Sequence, residues 1–298
     1  MKKILKKILK KIFNKIYIFY LRNLRKYIVL SSYPFISGDT FKKNSDHVLD
    51  YRNKINYKKI SSGDIIFVKP EFLDEFFREF NYIDKRVSLI THNSDFEINY
   101  EIYQKYANKN INWFAQNISF KSESNMNIFP LPIGLENRNY FKNGIISHYT
   151  SVNIRPDQKL NKALCSFNLS TNKDRVDVVD KIKLNKDIDF QRFANHKYYI
   201  QQVSNYKFNI CPFGNGLDTH RIWESLMVNT IPVVLKHDFY SNFSDYDIPL
   251  LQIDSWDDLK NLNSEEIERI YDKYDILKRQ KHFLEFDFWF EKIKESSN

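Results

Sequence analysis

The stretch YKFNICPFGNGLDTHRIWESLMVNTIPVVL, residues 206–235, constrains the fold more than any other part of the chain. YKFNICP is strand-like, DTHRIWESLMV has helical character, and TIPVVL is strand-like again. Together they make a β-α-β unit, which implies parallel strands joined by a right-handed crossover. The chain has only six glycines in 298 residues, and two of them, Gly214 and Gly216, fall with Pro212 in the loop that leaves the first strand. In open α/β sheets that loop is where ligands bind.

The residues around the loop suit an anion. Glycines let backbone amides approach a phosphate closely, and the helix that follows offers its unpaired N–H groups. The loop Gly214-Asn215-Gly216 is therefore expected to bind a phosphate. Asp218 or Thr219 is placed to cap the helix. Arg221 and Glu224, three residues apart, share a helix face. Arg221 suits bidentate contacts to a diphosphate, Glu224 suits ribose hydroxyls, and the adjacent His220 suits phosphate. Arg175, in the polar loop after the strand at 163–167, offers a second positive charge. The same residues also admit a plain turn followed by a surface Arg221–Glu224 ion pair.

Upstream, GDIIFVKP (63–70) reads as a buried strand, EFLDEFFREF as a helix, and RVSLITHNSD (86–95) as a strand ending in a polar tip. NINWFAQN and IFPLPIGLEN follow at short intervals, so residues 30–150 form a first α/β domain with a polar linker around 142–160. A second domain, 151–298, starts at KALCSFNLSTNKDR and runs through the β-α-β unit to terminal helices. Two cysteines, Cys165 and Cys211, without CxxC or metal-ligand spacing, argue against a disulfide framework or a zinc site and fit a reducing cytoplasm.

The net charge of +9 is concentrated at one end. Ten of the 46 Lys and Arg lie within residues 1–27, which hold no acid, and the remaining 36 nearly balance 37 acidic side chains. A basic groove for nucleic acid is not supported. In MKKILKKILKKIFNKIYIFY, lysine pairs alternate with Ile4 and Leu5, Ile8 and Leu9, Ile12 and Phe13, then Ile16. Residues 1–29 therefore read as an amphipathic helix with an apolar stripe opposite a lysine face. Its longest uncharged run, Ile16–Leu21, is far short of the roughly 20 apolar residues that span a bilayer. An in-plane helix on an anionic membrane surface is expected through residues 1–27, which places the protein peripherally on the inner face of the cell membrane.

Residues 208–235 also carry a family resemblance. Cys211, Pro212, Gly214, Asp218, Arg221, Glu224, Ile231, Pro232 and Val233 resemble the C-terminal signature of exostosin-like glycosyltransferases (family 47), a Cys-Pro-x-Gly segment, an Asp-x-x-Arg-x-x-Glu helix and an Ile-Pro-Val strand. Asn229 departs from the pattern, standing where a glycine commonly precedes the last strand, and asparagine is the next-best residue for a left-handed helix terminus. LITHNSD and FPLPIGLEN are similar to segments of bacterial members. The resemblance implies a GT-B architecture, two Rossmann-like domains facing across a cleft, with the nucleotide-sugar donor on the C-terminal one and the acceptor on the other.

It further implies an inverting glycosyltransferase without metal or other cofactor, moving a sugar from a donor such as a UDP-sugar to a surface polysaccharide or lipid-linked oligosaccharide. Inversion needs a base for the acceptor hydroxyl. Asp95 and His92, at the tip of LITHNSD, are the candidates, Asp95 preferred, and Glu136 with Asn137 is expected to line the acceptor side. Two other readings compete: a fucosyltransferase-like enzyme using a GDP-sugar, and a noncatalytic membrane-associated binding protein. A metal-dependent GT-A enzyme would use an Asp-x-Asp, matched formally by residues 187–189 and 245–247.

Overall fold

A computed structural model of the protein describes residues 2–24, 28–276 and 280–297. After helices α1 (Lys2–Phe19) and α2 (Gly38–Lys43), the chain lays down β1 (His47–Leu49), β2 (Ile65–Val68), α3 (Leu73–Phe80), β3 (Val87–Thr91), α4 (Tyr100–Tyr106), β4 (Ile111–Ala115) and β5 (Ile128–Pro130). These strands form one parallel sheet in the order β1-β2-β3-β4-β5. Strands β2, β3 and β4 are buried along their whole length, which is why they read as continuous apolar runs. In α3, Leu73, Phe76, Phe77 and Phe80 fall at helical spacing on one face and are buried.

The region expected to be a linker contains a short helix, α5 (Ser147–Thr150), whose Tyr149 is buried. The second unit follows as β6 (Leu160–Cys165), α6 (Asp174–Ile182), β7 (Ile188–Phe190), α7 (His196–Val203), β8 (Tyr206–Ile210), α8 (His220–Met227), β9 (Ile231–Leu235), α9 (Asp238–Ser241), β10 (Leu251–Ile253), α10 (Ser264–Tyr274) and α11 (Phe286–Ser297). Its five strands are parallel in the order β10-β9-β8-β6-β7. The β8-α8-β9 unit matches the sequence reading, and Asn229 turns the chain into β9 at φ 59°, the left-handed conformation expected of it.

The two sheets differ in one consequential respect. The first adds each strand beside its predecessor, always in the same direction. In the second, β7 lies on one side of β6 and β8 on the other, so the connections leaving β6 and β8 diverge and open a crevice at the strand ends. The second unit is thus the one with a ligand crevice built into its topology.

The last helix does not stay with the second unit. α11 returns to pack on β2, β3 and β4, and Ser88 Oγ donates to the Ile293 carbonyl at 3.1 Å. Trp289 on this helix is buried in a core that also holds Phe41, Phe67 and Phe114 of the first unit and Phe208 and Ile231 of the second. A division of the chain at residue 150 does not include that return. Cys165 and Cys211 are both buried and free.

Candidate active site

A cleft of about 1630 Å³ lies between the two sheets, large enough for a nucleotide sugar together with part of an acceptor. On one wall is the β6/β8 crevice; on the other are the loops after β3 and β5. Asp95, His92, Glu136, Asn137, Arg175, Gly214, Asn215, Gly216, Asp218, Thr219, His220, Arg221 and Glu224 all line it, so every residue singled out for binding or catalysis converges on one place.

The crevice is cationic. Arg175 is buried, its Nε donating to the Phe213 carbonyl at 2.8 Å and its Nη1 to that of Asn168 at 3.1 Å. Burial first, then the neighbouring Arg221, pull its guanidinium down to about 10. Arg221 is anchored through Nε on the Ser166 carbonyl at 2.8 Å. Both arginines are therefore gripped by backbone carbonyls from the loops after β6 and β8, and among the described residues neither meets a carboxylate at salt-bridge distance. Two guanidinium groups held near each other with no carboxylate in direct contact are a costly arrangement in a protein and a favourable one for a bound dianion. α8 adds to the field, since its first turn carries no acid.

The glycine loop packs against the first unit. Neither Gly214 nor Gly216 has positive φ. Gly216 is needed for a close approach: a Cβ there would lie 2.8 Å from Asn117 Nδ2. Asn117 comes from the first unit and accepts a hydrogen bond from the Asp218 amide at 2.9 Å. Asp218 and Thr219 do not cap α8. Thr219 stands at the N-cap position, but its Oγ1 is buried without a partner. Asp218 instead ties the units together, accepting from the Ile133 amide at 2.7 Å and from Trp223 Nε1 at 2.9 Å. His220 makes a parallel tie, its Nδ1 donating to the Gly134 carbonyl at 2.7 Å.

Burial pushes the Asp218 carboxyl from 3.8 up to about 7, against the Ile133 and Trp223 hydrogen bonds that pull it down. An acid whose folded pKa exceeds its unfolded value takes up a proton on folding. The contribution of Asp218 is thus greatest below about pH 4, is lost as pH rises toward about 7, and is flat beyond. Urea unfolding between pH 4 and pH 8 is expected to give a falling stability, with a limiting slope of about 1.4 kcal/mol per pH unit from this one group. Asp218→Asn removes that slope; its persistence in the variant would assign it to another group.

Glu224 does not pair with Arg221. Its Oε1 accepts from His196 Nε2 at 2.7 Å and from the Tyr149 hydroxyl at 3.1 Å. His196 Nδ1 in turn meets His148 Nδ1 at 3.0 Å. The proton on His196 Nε2 serves Glu224, and the contact between the two Nδ1 atoms holds a further proton between the rings. Burial alone would raise the Glu224 carboxyl, but the His196 hydrogen bond and charge, then His220 and Arg221, outweigh it and leave it below the usual carboxylate value. His148, Tyr149 and His196 carried no signal in the sequence, because the first two lie in the apparent linker and the third opens an otherwise ordinary helix.

On the opposite wall His92 is a core residue. It is 1% exposed, its Nε2 donates to the Pro132 carbonyl at 3.1 Å, and its Nδ1 accepts from the Asn93 amide at 2.8 Å. Burial drives its pKa down to about 4. With both nitrogens engaged it has no site for an acceptor's proton. Asp95 stands exposed at the rim. Asn137 is committed to a ring of hydrogen bonds: its Oδ1 accepts from the Asp39 amide at 2.8 Å, its Nδ2 donates to Asn93 Oδ1 at 2.7 Å, and Asn93 Nδ2 donates to Asp39 Oδ1 at 3.3 Å. That ring fixes the loop bearing Glu136, whose Oε2 is buried without a partner. Burial, and beyond it the charge of Glu224, push the Glu136 carboxyl up against the pull of His220.

The Asp-x-Asp triplets stand away from the cleft. Asp189 pairs with Lys162 and Tyr206, Asp187 accepts from the Ser264 amide, and 245–247 form a surface turn. Among the described residues no group of three or more His, Cys, Asp or Glu side chains is arranged to hold a metal ion, and no helix is long and apolar enough to cross a membrane.

No family model and no curated protein matches the chain. Among solved structures it is similar to one described as an OtsA apo structure, at 9% identity over 79% of this chain and 74% of that one, with a TM-score of 0.40. A likeness that loose adds nothing to what the strand order already says.

Proposed function

We propose that the chain is an inverting, GT-B-type glycosyltransferase of the exostosin-like kind, transferring a sugar from a nucleotide diphosphate donor, preferentially a UDP-sugar, to a glycan or lipid-linked acceptor. The observation that carries this reading is the pair of guanidiniums, Arg175 and Arg221, anchored on backbone carbonyls and in no salt bridge among the described residues, at the β6/β8 switch point beside the N-terminus of α8. As the bond from the anomeric carbon to the diphosphate breaks, negative charge builds on the leaving oxygen. Arg175, Arg221, the Gly214–Gly216 amides and the first turn of α8 receive that charge, with His220 beside them. They supply what a divalent cation supplies in metal-dependent transferases, so turnover is proposed to be insensitive to chelators.

Glu224, kept ionised by His196 and Tyr149, accepts from the ribose hydroxyls. On the acceptor wall the new bond forms between the acceptor oxygen and the anomeric carbon, and its proton passes to a carboxylate. Glu136 takes that role in place of Asp95 and His92, since it combines a buried, unpartnered oxygen with a fixed loop. Asp95, at the rim, is placed to contact the incoming acceptor.

Titration calorimetry with UDP and GDP, followed by hydrolysis of a panel of nucleotide sugars with and without chelator, tests the reading. Micromolar diphosphate binding and chelator-insensitive turnover are expected; no nucleotide binding would leave a noncatalytic protein. Glu224→Gln, which removes the charge and keeps the shape, is expected to weaken nucleotide binding about tenfold, the value of one charge-assisted hydrogen bond. Unchanged affinity would remove the ribose assignment.

A further inference from the structure

Helix α1 and the turn that follows it, Tyr20–Leu24, dock through their tyrosines. Tyr17 OH donates to the Tyr140 carbonyl at 2.6 Å, Tyr20 OH donates to that of Asn139, the Tyr20 ring lies 5.3 Å from that of Phe141, and Lys142 Nζ sits 4.6 Å over the Tyr17 ring. The neighbouring stripe is left open. Leu9 is 56% exposed, Ile12 49%, Phe13 67%, Ile16 62% and Phe19 59%, on a helix whose Lys10, Lys11 and Lys15 are exposed as well. At the usual rise the exposed stripe from Leu9 to Phe19 runs about 15 Å along the helix.

The place of docking gives this face a functional meaning. Tyr140, Phe141 and Lys142, which receive α1, also line the cleft, so the helix is fastened to the cleft's own mouth. The occupant that fits an apolar stripe flanked by lysines, in a segment of ten basic and no acidic residues, is an anionic lipid surface. A helix lying in that surface brings the cleft mouth down to the headgroups. A freely soluble glycan gains nothing from such placement. An acceptor whose tail stays in the bilayer gains a short path for its head into the cleft.

We infer that the acceptor is a lipid-linked sugar, approached from the membrane surface past residues 140–142 on the first-unit side of the cleft. The inference rests on the glycosyltransferase reading for the reaction, and on α1 alone for the placement.

Tryptophan reporters test it with phosphatidylcholine vesicles, with and without phosphatidylglycerol, carrying brominated acyl chains as quenchers. The native tryptophans Trp113, Trp223, Trp256 and Trp289 are all buried and give a quiet background. Phe13→Trp reports on the stripe, Phe141→Trp on the cleft mouth, and Tyr82→Trp, 89% exposed in the turn that enters β3 at the end opposite the cleft loops, on the far side. Quenching of the first two, absent at the third and dependent on phosphatidylglycerol, is expected. Ile12→Gln with Ile16→Gln is expected to lower vesicle affinity at least tenfold while nucleotide-sugar hydrolysis in solution stays unchanged. Quenching at Phe13→Trp without any at Phe141→Trp turns the mouth away from the bilayer and overturns the inference, as does failure to bind either vesicle. Quenching at both sites in a protein that binds no nucleotide supports the placement and defeats the reaction, so the two failures are separable.

Discussion

Replacing Arg221 by alanine is expected to lower turnover of the proposed nucleotide-sugar donor by about 10²–10³-fold, the range seen when one preorganised donor to a developing oxyanion is removed. The fold survives, because Arg221 is only partly buried and its one anchoring bond, to the Ser166 carbonyl, faces a group that water can satisfy. The loss falls mainly on kcat, since leaving-group charge is larger in the transition state than in the bound donor. Arg221→Lys does not restore it, because an ammonium lacks the planar fork that engages the carbonyl and the diphosphate together. Arg175→Ala differs in being destabilising as well, by about 1–3 kcal/mol, as the Phe213 and Asn168 carbonyls lose their donors. Steady-state hydrolysis beside thermal unfolding by circular dichroism checks both variants. Turnover of Arg221→Ala within a few fold of the native protein would detach the arginine from the leaving group.

Gly38→Ala destabilises the protein by about 3 kcal/mol, a large cost for one methyl group, from overpacking and lost hydrogen bonds combined. A Cβ on Gly38 would land on the Asn93 side chain and 2.5 Å from His92 Nδ1. The Asn93 side chain has nowhere to withdraw, because it is a member of the Asp39–Asn93–Asn137 ring, and Asn93 itself sits at φ 65°. Its displacement frees the Asn137 amide and loosens the loop that holds Glu136. Urea unfolding measures the stability loss. Activity in the absence of urea is expected to fall too, and a fully stable Gly38→Ala protein would show that the ring yields without cost.

The elements were largely legible because their signals are local. The apolar runs at 65–68, 87–91 and 206–210 are fully buried parallel strands, and the four-residue beat of lysine and apolar pairs produces a helix with an exposed stripe. The cleft loop at 212–219 was legible for the same reason: a strand, a glycine-poor chain's two close glycines and a helix with Arg221 are adjacent in sequence. The roles of individual polar groups were another matter. Asp218 looked like a cap and is a strut to Ile133, Gly216 also gives clearance to Asn117, and His92 looked like a base and is fixed between Pro132 and Asn93.

What the sequence determined by itself was the alternation of strands and helices, the parallel β8-α8-β9 unit and the amphipathic face of α1, all set by side-chain periodicity and chain chirality over a few turns. Only the tertiary structure decided which polar atoms remain available for chemistry. Partners such as His196 for Glu224, 28 residues apart, or Ile133 for Asp218, 85 apart, are chosen by how the sheets meet. A hydrogen bond forms only where donor and acceptor are brought within about 3 Å, and no local pattern encodes that distance across the cleft.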